Sequence, residues 1–209
     1  ETDTPPREQE WIWQDIANVL PTWHATLPDP TKIPYTGNVT SIVASTSDKG
    51  GYKKKNYFQF SSKLMFTYKL PWIKGLEAKA MINYQRNTNE TKYWMKGYDM
   101  WKYNWENDSY TKEGSAWQIR LNEGWNSENK FTSNIGLYYE QKFNEHSISA
   151  MLLNEIIQSS GKDINGGTDG FLGDNIDYLF AGSDSSDRIS GGAWENGRVS
   201  YVSRINYNL

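Results

Sequence analysis

From residue 57 onward most of the chain alternates in polarity with a period of two, and nine charges along the runs keep to one face. Phe58, Phe60, Leu64, Phe66, Tyr68 and Leu70 alternate with Gln59, Ser61, Lys63, Thr67 and Lys69. Leu76, Ala78, Ala80, Ile82 and Tyr84 alternate with Glu77, Lys79, Asn83 and Gln85. The same pattern sets Phe131, Ile135, Leu137, Tyr139 and Phe143 against Thr132, Asn134, Glu140 and Lys142. Ile148, Ala150, Leu152 and Ile156 follow it, as do Val199, Tyr201, Ile205, Tyr207 and Leu209 against Arg198, Ser200, Arg204 and Asn206. Successive side chains of a strand point to opposite faces, so these runs read as strands with one apolar and one polar face. The apolar residues set the register, which leaves the charges as the independent test. Lys63, Lys69, Glu77, Lys79, Glu140, Lys142, Glu155, Arg198 and Arg204 all fall opposite the apolar residues. Lipid excludes charge from the outer face of a barrel strand, and water draws charge to the outer face of a sandwich, so this supports strands before it supports a membrane.

The connections discriminate further. Those at 70–75 and 144–147 are short, and those at about 87–116 and 158–195 are long and polar. Short turns alternating with long loops are the layout of outer-membrane barrels. The runs have about 10–13 residues, where a tilted transmembrane strand needs about 9–11 and a globular strand has about 5–6. Trp117, Ile119 and Leu121 also alternate, but a separate crossing there would put a long loop on the side of the short turns. Residues 117–130 are therefore read as an extension of the strand at 131–143, with a bulge near Gly124. The expectation is an all-β, antiparallel up-and-down meander, part of a large transmembrane β-barrel. Its strands span about 57–70, 76–86, 117–143, 147–158 and 196–209, with the chain entering from outside and leaving at the periplasmic rim.

Residues 1–56 are expected to form an extracellular loop segment. Ile12, Ile16, Val19 and Leu20, beside Trp11 and Trp13, suit a short amphipathic helix stopped by Pro21. Pro21, Pro28, Pro30 and Pro34 make the following stretch extended or irregular. Composition agrees with strands at an interface: hydrophobic residues make up only 37%, yet there are 14 Tyr and 10 Trp. No run approaches the roughly 20 apolar residues of a membrane helix. With no cysteine, disulfides and thiolate sites are excluded, and a net charge of −3 gives no case for nucleic acid. Glu1 to Glu10 do not form a signal peptide, and the expectation is a chain that begins inside a longer protein.

Three stretches resemble one family. "YFQFSSKLMFTYKLPWIKGLEAKAMINY" (57–84) looks like the strand–turn–strand of SusC/RagA-type TonB-dependent transporters, whose turn often reads Pro-x-Ile/Val-Lys-Gly-Leu. "NIGLYYEQKFNEHSISAMLLNE" (134–155) is similar to a hairpin of that family, with Asn144 where a Gly is usual. "DNIDYLFAGS" (174–183) followed by "ENGRVSYVSRINYNL" (195–209) resembles a third, more specific segment. The blocks stand in family order. The resemblance implies a plugged barrel of the 22-stranded class, of which this chain is a middle piece. It implies import of glycan oligosaccharides or peptides across the outer membrane, with TonB acting through a plug region and a SusD-like surface lipoprotein as lid. Further partners are the remainder of the barrel and the lipid bilayer.

No coherent catalytic set accompanies this pattern, so an enzyme is not expected, nor a cofactor or metal. The only histidines are His24, beside Trp23 in the Pro-rich stretch, and His146, in a predicted turn. Asp163 to Asp169, with Asp174, faintly resemble a calcium loop, but Thr168 stands where the sixth-position Gly belongs and Asp174 where the twelfth-position Glu belongs. Glu106 and Asp108 are a nominal acidic pair without the fixed separation that glycoside hydrolysis requires. Sequons at Asn38, Asn89 and Asn107 carry little weight. The ligand candidates are Tyr93, Trp94, Tyr98, Trp101, Tyr103 and Trp105, because aromatic faces stack on sugar rings and peptide groups. Packing within the loop, or against the lid, is the plainer reading of them. The rival architecture is a secreted carbohydrate-binding β-sandwich, which shares the alternation and the aromatics.

Overall fold

The computed structural model describes residues 2–5, 9–37, 40–116 and 118–209; Asn38 and Trp117 lie outside this set. In chain order the elements are β1 (Thr2–Thr4), α1 (Gln9–Ala17), β2 (Ile33–Pro34), α2 (Ile42–Ser45) and β3 (Gly51–Lys69). Then follow β4 (Leu76–Met95), β5 (Tyr98–Asn104), β6 (Ser109–Ala116), β7 (Arg120–Phe143), β8 (His146–Asp169) and β9 (Arg188–Asn208). One sheet has the order β1-β3-β4-β7-β8-β9 and a second has the order β2-β5-β6. The protein is thus the all-β antiparallel meander that the alternation predicts, with two short helices. Contacts divide it into two compact units.

One unit comprises Tyr57–Asn89, Asn126–Asp163 and Gly191–Leu209. Its side chains sort by parity. On the apolar side Phe60 lies 6.4 Å from Tyr84, ring to ring. On the other side Glu77 pairs with Lys79 at 3.1 Å and Lys69 at 3.7 Å, and the Lys79 ammonium sits 4.8 Å from the Tyr138 ring. Arg198 donates to Glu155 at 2.9 Å, and Asn206 donates to Ser149 at 3.2 Å. Like parity meets like across every one of these strand pairs.

Nothing in this unit covers the apolar side. Leu64 is 56% exposed, Phe66 60%, Leu152 54% and Ile205 78%. A β-sandwich buries that face under a second sheet, so this unit departs from the rival architecture.

The two turns of this unit need left-handed backbone. Gly75 has φ +84°, and a Cβ there would strike the Glu140 carbonyl. That approach lets the Glu140 amide donate to the Gly75 carbonyl at 2.9 Å. Asn144 has φ 53°, a conformation Asn tolerates better than most residues, which accounts for the departure from Gly at this turn. His146 stacks on Tyr207, with Nδ1 2.6 Å from the phenol oxygen, and joins β8 to β9.

The other unit comprises Glu1–Asn56, Glu90–Trp125 and Ile164–Ser190. It holds a conventional core of Ile33, Ala44, Met100 and Ala116, with Tyr98 against it. The hairpin of β5 and β6 builds this core, with β2 running parallel to β5. Trp94 and Leu121 are also buried, and Trp94 meets Phe171 edge to face at 4.8 Å. Helix α1 ends at Ala17, short of Pro21.

The strands run longer than the alternation indicates, at the end of each that lies away from the short turns. β4 continues to Met95, β8 to Asp169, and β9 begins at Arg188 rather than near residue 196. The expected long loops shrink accordingly. Residues 87–116 contain the end of β4 and the β5–β6 hairpin, and only 170–187 remain as loop between β8 and β9. The reason is physical. A hydrogen-bonded ladder needs no polarity contrast, so strands with two polar faces escape a search for alternation. β7 passes unbroken through Gly124, and Gly124 is not among the described residues with positive φ. A Cβ at Gly124 would press on the side chains of Thr91 and Asn165, so close packing is the reason for that glycine.

Candidate ligand-binding site

The six candidate aromatics do not form one cluster. Trp94 is buried in the core contact with Phe171. The Tyr98 hydroxyl accepts from the Ser41 amide at 2.9 Å and ties residues 40–45 to the hairpin. Both are structural. Trp101, Tyr103 and Trp105 line a cavity of about 340 Å³ together with Trp23, His24 and Tyr35. Within it Tyr103 meets Trp105 edge to face at 4.7 Å, and His24 lies 5.2 Å from Trp105. Lys32 already occupies neighbouring faces, 5.4 Å from Trp101 and 4.7 Å from Tyr110.

Hydrogen bonds hold this hairpin. Tyr103 donates its hydroxyl to Asp108, which pushes the phenol pKa up to about 12. Lys112 bonds to Asp99 and keeps that carboxyl below its ordinary range, with Ser115 contributing. Glu106 and Asp108 sit at the hairpin tip, where Asp108 has φ 52° and is engaged by Tyr103. They act as turn residues and do not make a carboxylate pair.

Tyr93 belongs elsewhere. It lines a larger cavity of about 890 Å³ whose walls come from five strands and α1. The wall residues occur as pairs spaced by two: Lys53 and Lys55 on β3, Thr91 and Tyr93 on β4, and Asn122 and Gly124 on β7. Asn165 and Gly167 on β8 and Arg188 and Ser190 on β9 continue the pattern, with Glu123, Gly166 and Ile189 between the pairs and Trp11 from α1 beside them. Spacing by two on neighbouring strands puts these side chains on one face of the sheet. Lys53 lies 5.9 Å from the Tyr93 ring. A Cβ at Gly167 would strike the Asn122 side chain, so the two glycines keep amide and hydroxyl groups flat on the floor.

Ion pairs fix the surroundings of this groove. Arg188 donates to both oxygens of Asp169, at 3.0 and 3.1 Å, and Arg120 donates at 2.8 Å. The hydrogen bonds from Arg188, with Arg120 beside it, hold the Asp169 carboxyl below the usual carboxylate range. Burial pushes Asp177 up, but hydrogen bonds from Tyr52 and Lys92 outweigh it and leave the carboxyl below its ordinary value. Lys92 also reaches Glu123 at 3.3 Å. Ser186 accepts from the Asp169 amide at 2.9 Å, so the 170–187 loop is anchored at Asp169 and Asp177.

Asp163 to Asp169 lie in β8, not in a loop, and Asp169 faces two guanidinium groups. Among the described residues no three His, Asp or Glu side chains converge as metal ligands would. The lysines, amides and hydroxyls of the groove carry no apolar signal, and sequence reasoning did not bring them together as a site. Only the spacing by two of Lys53 with Lys55 and Asn165 with Gly167 hints at a shared face.

No family model matches the chain, and no curated protein does. Solved structures do. The RagAB peptide importer in its open-open state aligns with a TM-score of 0.61 at 18% identity, covering 92% of this chain and 19% of that one. A further structure of the RagAB peptide transporter gives 0.60 at 17%, again over 92% of this chain and 19% of that one. The closed-closed state of the importer gives 0.57 at 19%, over 75% of this chain and 16% of that one. The likeness shows a shared fold, and this chain spans less than a fifth of each of those chains.

Proposed function

We propose that the chain is a middle segment of the barrel of a SusC-like TonB-dependent transporter in a bacterial outer membrane, importing oligosaccharides or peptides. The observation that carries this reading is the sheet of Tyr57–Asn89, Asn126–Asp163 and Gly191–Leu209, one layer thick, with its apolar face bare and Lys63, Lys69, Glu77, Lys79, Glu140, Lys142, Glu155, Arg198 and Arg204 at positions of the opposite face. A solvent-exposed face of Phe, Leu and Ile of this extent is unfavourable in water and suited to lipid. The fold shared with RagAB structures supports the same reading. On it, Phe60, Leu64, Phe66, Ala80, Ile82, Leu137, Leu152 and Ile205 face lipid, and Lys63, Lys79, Glu140, Glu155 and Arg204 face the lumen.

Strands of 19–24 residues exceed the roughly 9–11 that cross a bilayer, so their remainders stand outside it. The sheet ends in open edges at β3 beyond residue 55 and along β9. Open edges in lipid leave backbone groups unpaired, so further strands of the same barrel flank both. Residues 1–56 and the segments 87–116 and 158–195 are assigned to the extracellular side, where a SusD-like lipoprotein sits as lid. TonB acts through a plug region of the longer protein. The exposed Trp105 and the half-buried Trp101 and Tyr103 are assigned to ligand or lid contact.

The test is made on the full-length protein. It is expected in outer-membrane fractions as a heat-modifiable barrel that co-purifies with a lipoprotein, and crosslinks from that lipoprotein are expected at the long segments. A soluble, heat-insensitive product, or crosslinks confined to Lys74 and Asn144, would refute the assignment.

A further inference from the structure

The unit of Tyr57–Asn89, Asn126–Asp163 and Gly191–Leu209 carries a groove of about 500 Å³. It crosses four neighbouring strands, β4, β7, β8 and β9. Tyr84 and Phe131 line it, and both belong to the apolar face. Its other walls are polar: Asn129 on β7, Gln158 and Ser160 on β8, and Glu195 on β9. Parity places these on the apolar face too, since Asn129 stands two residues from Phe131, Gln158 two from Ile156, and Glu195 four from Val199. Tyr84 donates to the Asn129 side chain at 3.0 Å and joins the two sets directly.

Polarity therefore changes at one level across the four strands. Beyond Tyr84, Phe131, Ile156 and Val199, going away from the short turns, the next positions of this face are Arg86, Asn129, Gln158 and Gly197. If the face meets lipid, this level is the border between hydrocarbon and headgroups, where outer-membrane barrels place aromatic side chains such as Tyr84 and Phe131. The groove is thus continuous with bare Ile82 and Val199. A lipid is the occupant that has both chemistries, hydrocarbon for the face and a polar headgroup for the groove. The volume lies in the range of ligand sites, roughly 300–1,000 Å³.

The lining selects among headgroups. Among the described residues its one charge is the Glu195 carboxylate. A phosphate beside a carboxylate is opposed by like charge, and phosphate sites are built from Lys and Arg. Arg86 and Lys162 take neighbouring positions of the same face but do not line the groove. Side-chain amides and hydroxyls donate and accept, as sugar hydroxyls do, and a carboxylate accepts from them. Tyr84 and Phe131 add aromatic faces for a sugar ring. Gly197 keeps the floor open, since a Cβ there would meet nothing nearer than the Ile157 carbonyl at 3.9 Å. We infer that this groove holds the sugar headgroup of a glycolipid of the surrounding membrane, with the acyl chains along Ile82 and Val199. The inference rests on the transporter reading and adds a lipid partner to it.

The test uses the full-length transporter, delipidated in detergent, after heat-modifiability has shown that the barrel is assembled. Three lipids with matched acyl chains are offered at equal concentration: a diglucosyl diacylglycerol, phosphatidylglycerol and phosphatidylcholine. Bound lipid is read by native mass spectrometry. The glycolipid is expected to be retained at least tenfold more than either phospholipid. Gly197→Val fills the groove without a clash and keeps a residue that strands favour. It is expected to lower glycolipid occupancy about tenfold and leave the phospholipids unchanged. Gln158 is exposed, so Gln158→Ala removes an amide without disturbing packing, and a smaller loss in the same direction is expected. Equal retention of the three lipids, or a glycolipid indifferent to Gly197→Val, overturns the inference and leaves the transporter reading intact. Preference for phosphatidylglycerol that disappears in Arg86→Gln overturns it too, by assigning the site to phosphate. Failure to assemble a barrel overturns both readings.

Discussion

The two units solve opposite problems with the same residue types. In the unit of Glu1–Asn56, Glu90–Trp125 and Ile164–Ser190, Ile33, Met100, Trp94 and Leu121 are buried as in a water-soluble domain. In the unit of Tyr57–Asn89, Asn126–Asp163 and Gly191–Leu209, Phe66, Leu152 and Ile205 are bare. The first unit obtains burial from its own chain, through a hairpin and two short segments folded against it. The second is a single layer, and within that unit no second layer covers its apolar face. Hydrophobic residues thus report a core only where a second layer exists to meet them, and elsewhere they report a solvent.

The sharpest test of the difference is truncation inside the first unit. Trp94→Ala removes a buried aromatic that meets Phe171 and is expected to destabilise that unit by roughly 3–5 kcal/mol. Limited proteolysis on intact cells expressing the full-length protein should show new cleavage among residues 90–125 and 164–190, with heat-modifiability retained. Loss of the barrel as well would mean that the two units do not differ in what holds them.

Charge placed in the second unit comes next in size. Phe66→Lys is expected to cost roughly 2–4 kcal/mol of assembly, where Phe66→Leu costs little. Folded barrel in outer-membrane fractions is the readout. Equal assembly of the two variants would show that residue 66 is not in lipid, and the five-crossing topology would fall with it. At the neighbouring pair, Ala80→Arg is expected to reduce assembled barrel while Lys79→Ala leaves it unchanged.

A smaller effect is expected at the loop anchor. Asp169→Asn removes the carboxylate shared by Arg120 and Arg188, whose side chains are about half exposed, and ion pairs of this kind are worth roughly 0–1 kcal/mol each. Hydrogen exchange in 170–187 should rise while the rest of the chain stays protected.

The pH dependence should have the same address. The folded carboxyl of Asp169 lies below its ordinary value of 3.8, so its contribution is present above that value and is lost as pH falls through the folded pKa. Protection of 170–187 should therefore fail on acidification below about pH 4, and earlier than in the Asp169→Asn protein measured against its own neutral baseline. An Asp169→Asn protein that still lost protection over the same window would locate the acid response elsewhere.

The sequence by itself determined the strands of the second unit and the sorting of their faces. A strand with one apolar and one polar face cannot hide its period, and Lys63, Lys79, Glu140 and Arg204 all take the polar face. It determined the two short turns as well, at 70–75 and 144–147, while the left-handed backbone of Gly75 and Asn144 is seen only in the structure. The tertiary structure decided what happens where both faces of a strand are polar. The ladder of β4 runs on to Met95 and that of β8 to Asp169 without any alternation to mark it. It also decided that Trp94 and Tyr98 pack while Tyr93 lines a groove, since adjacent aromatics in a sequence do not reveal which of them has a neighbour to bury it. The groove itself is assembled from five strands far apart in the chain, and only strand pairing brings Lys55, Tyr93, Asn122, Asn165 and Arg188 to one wall.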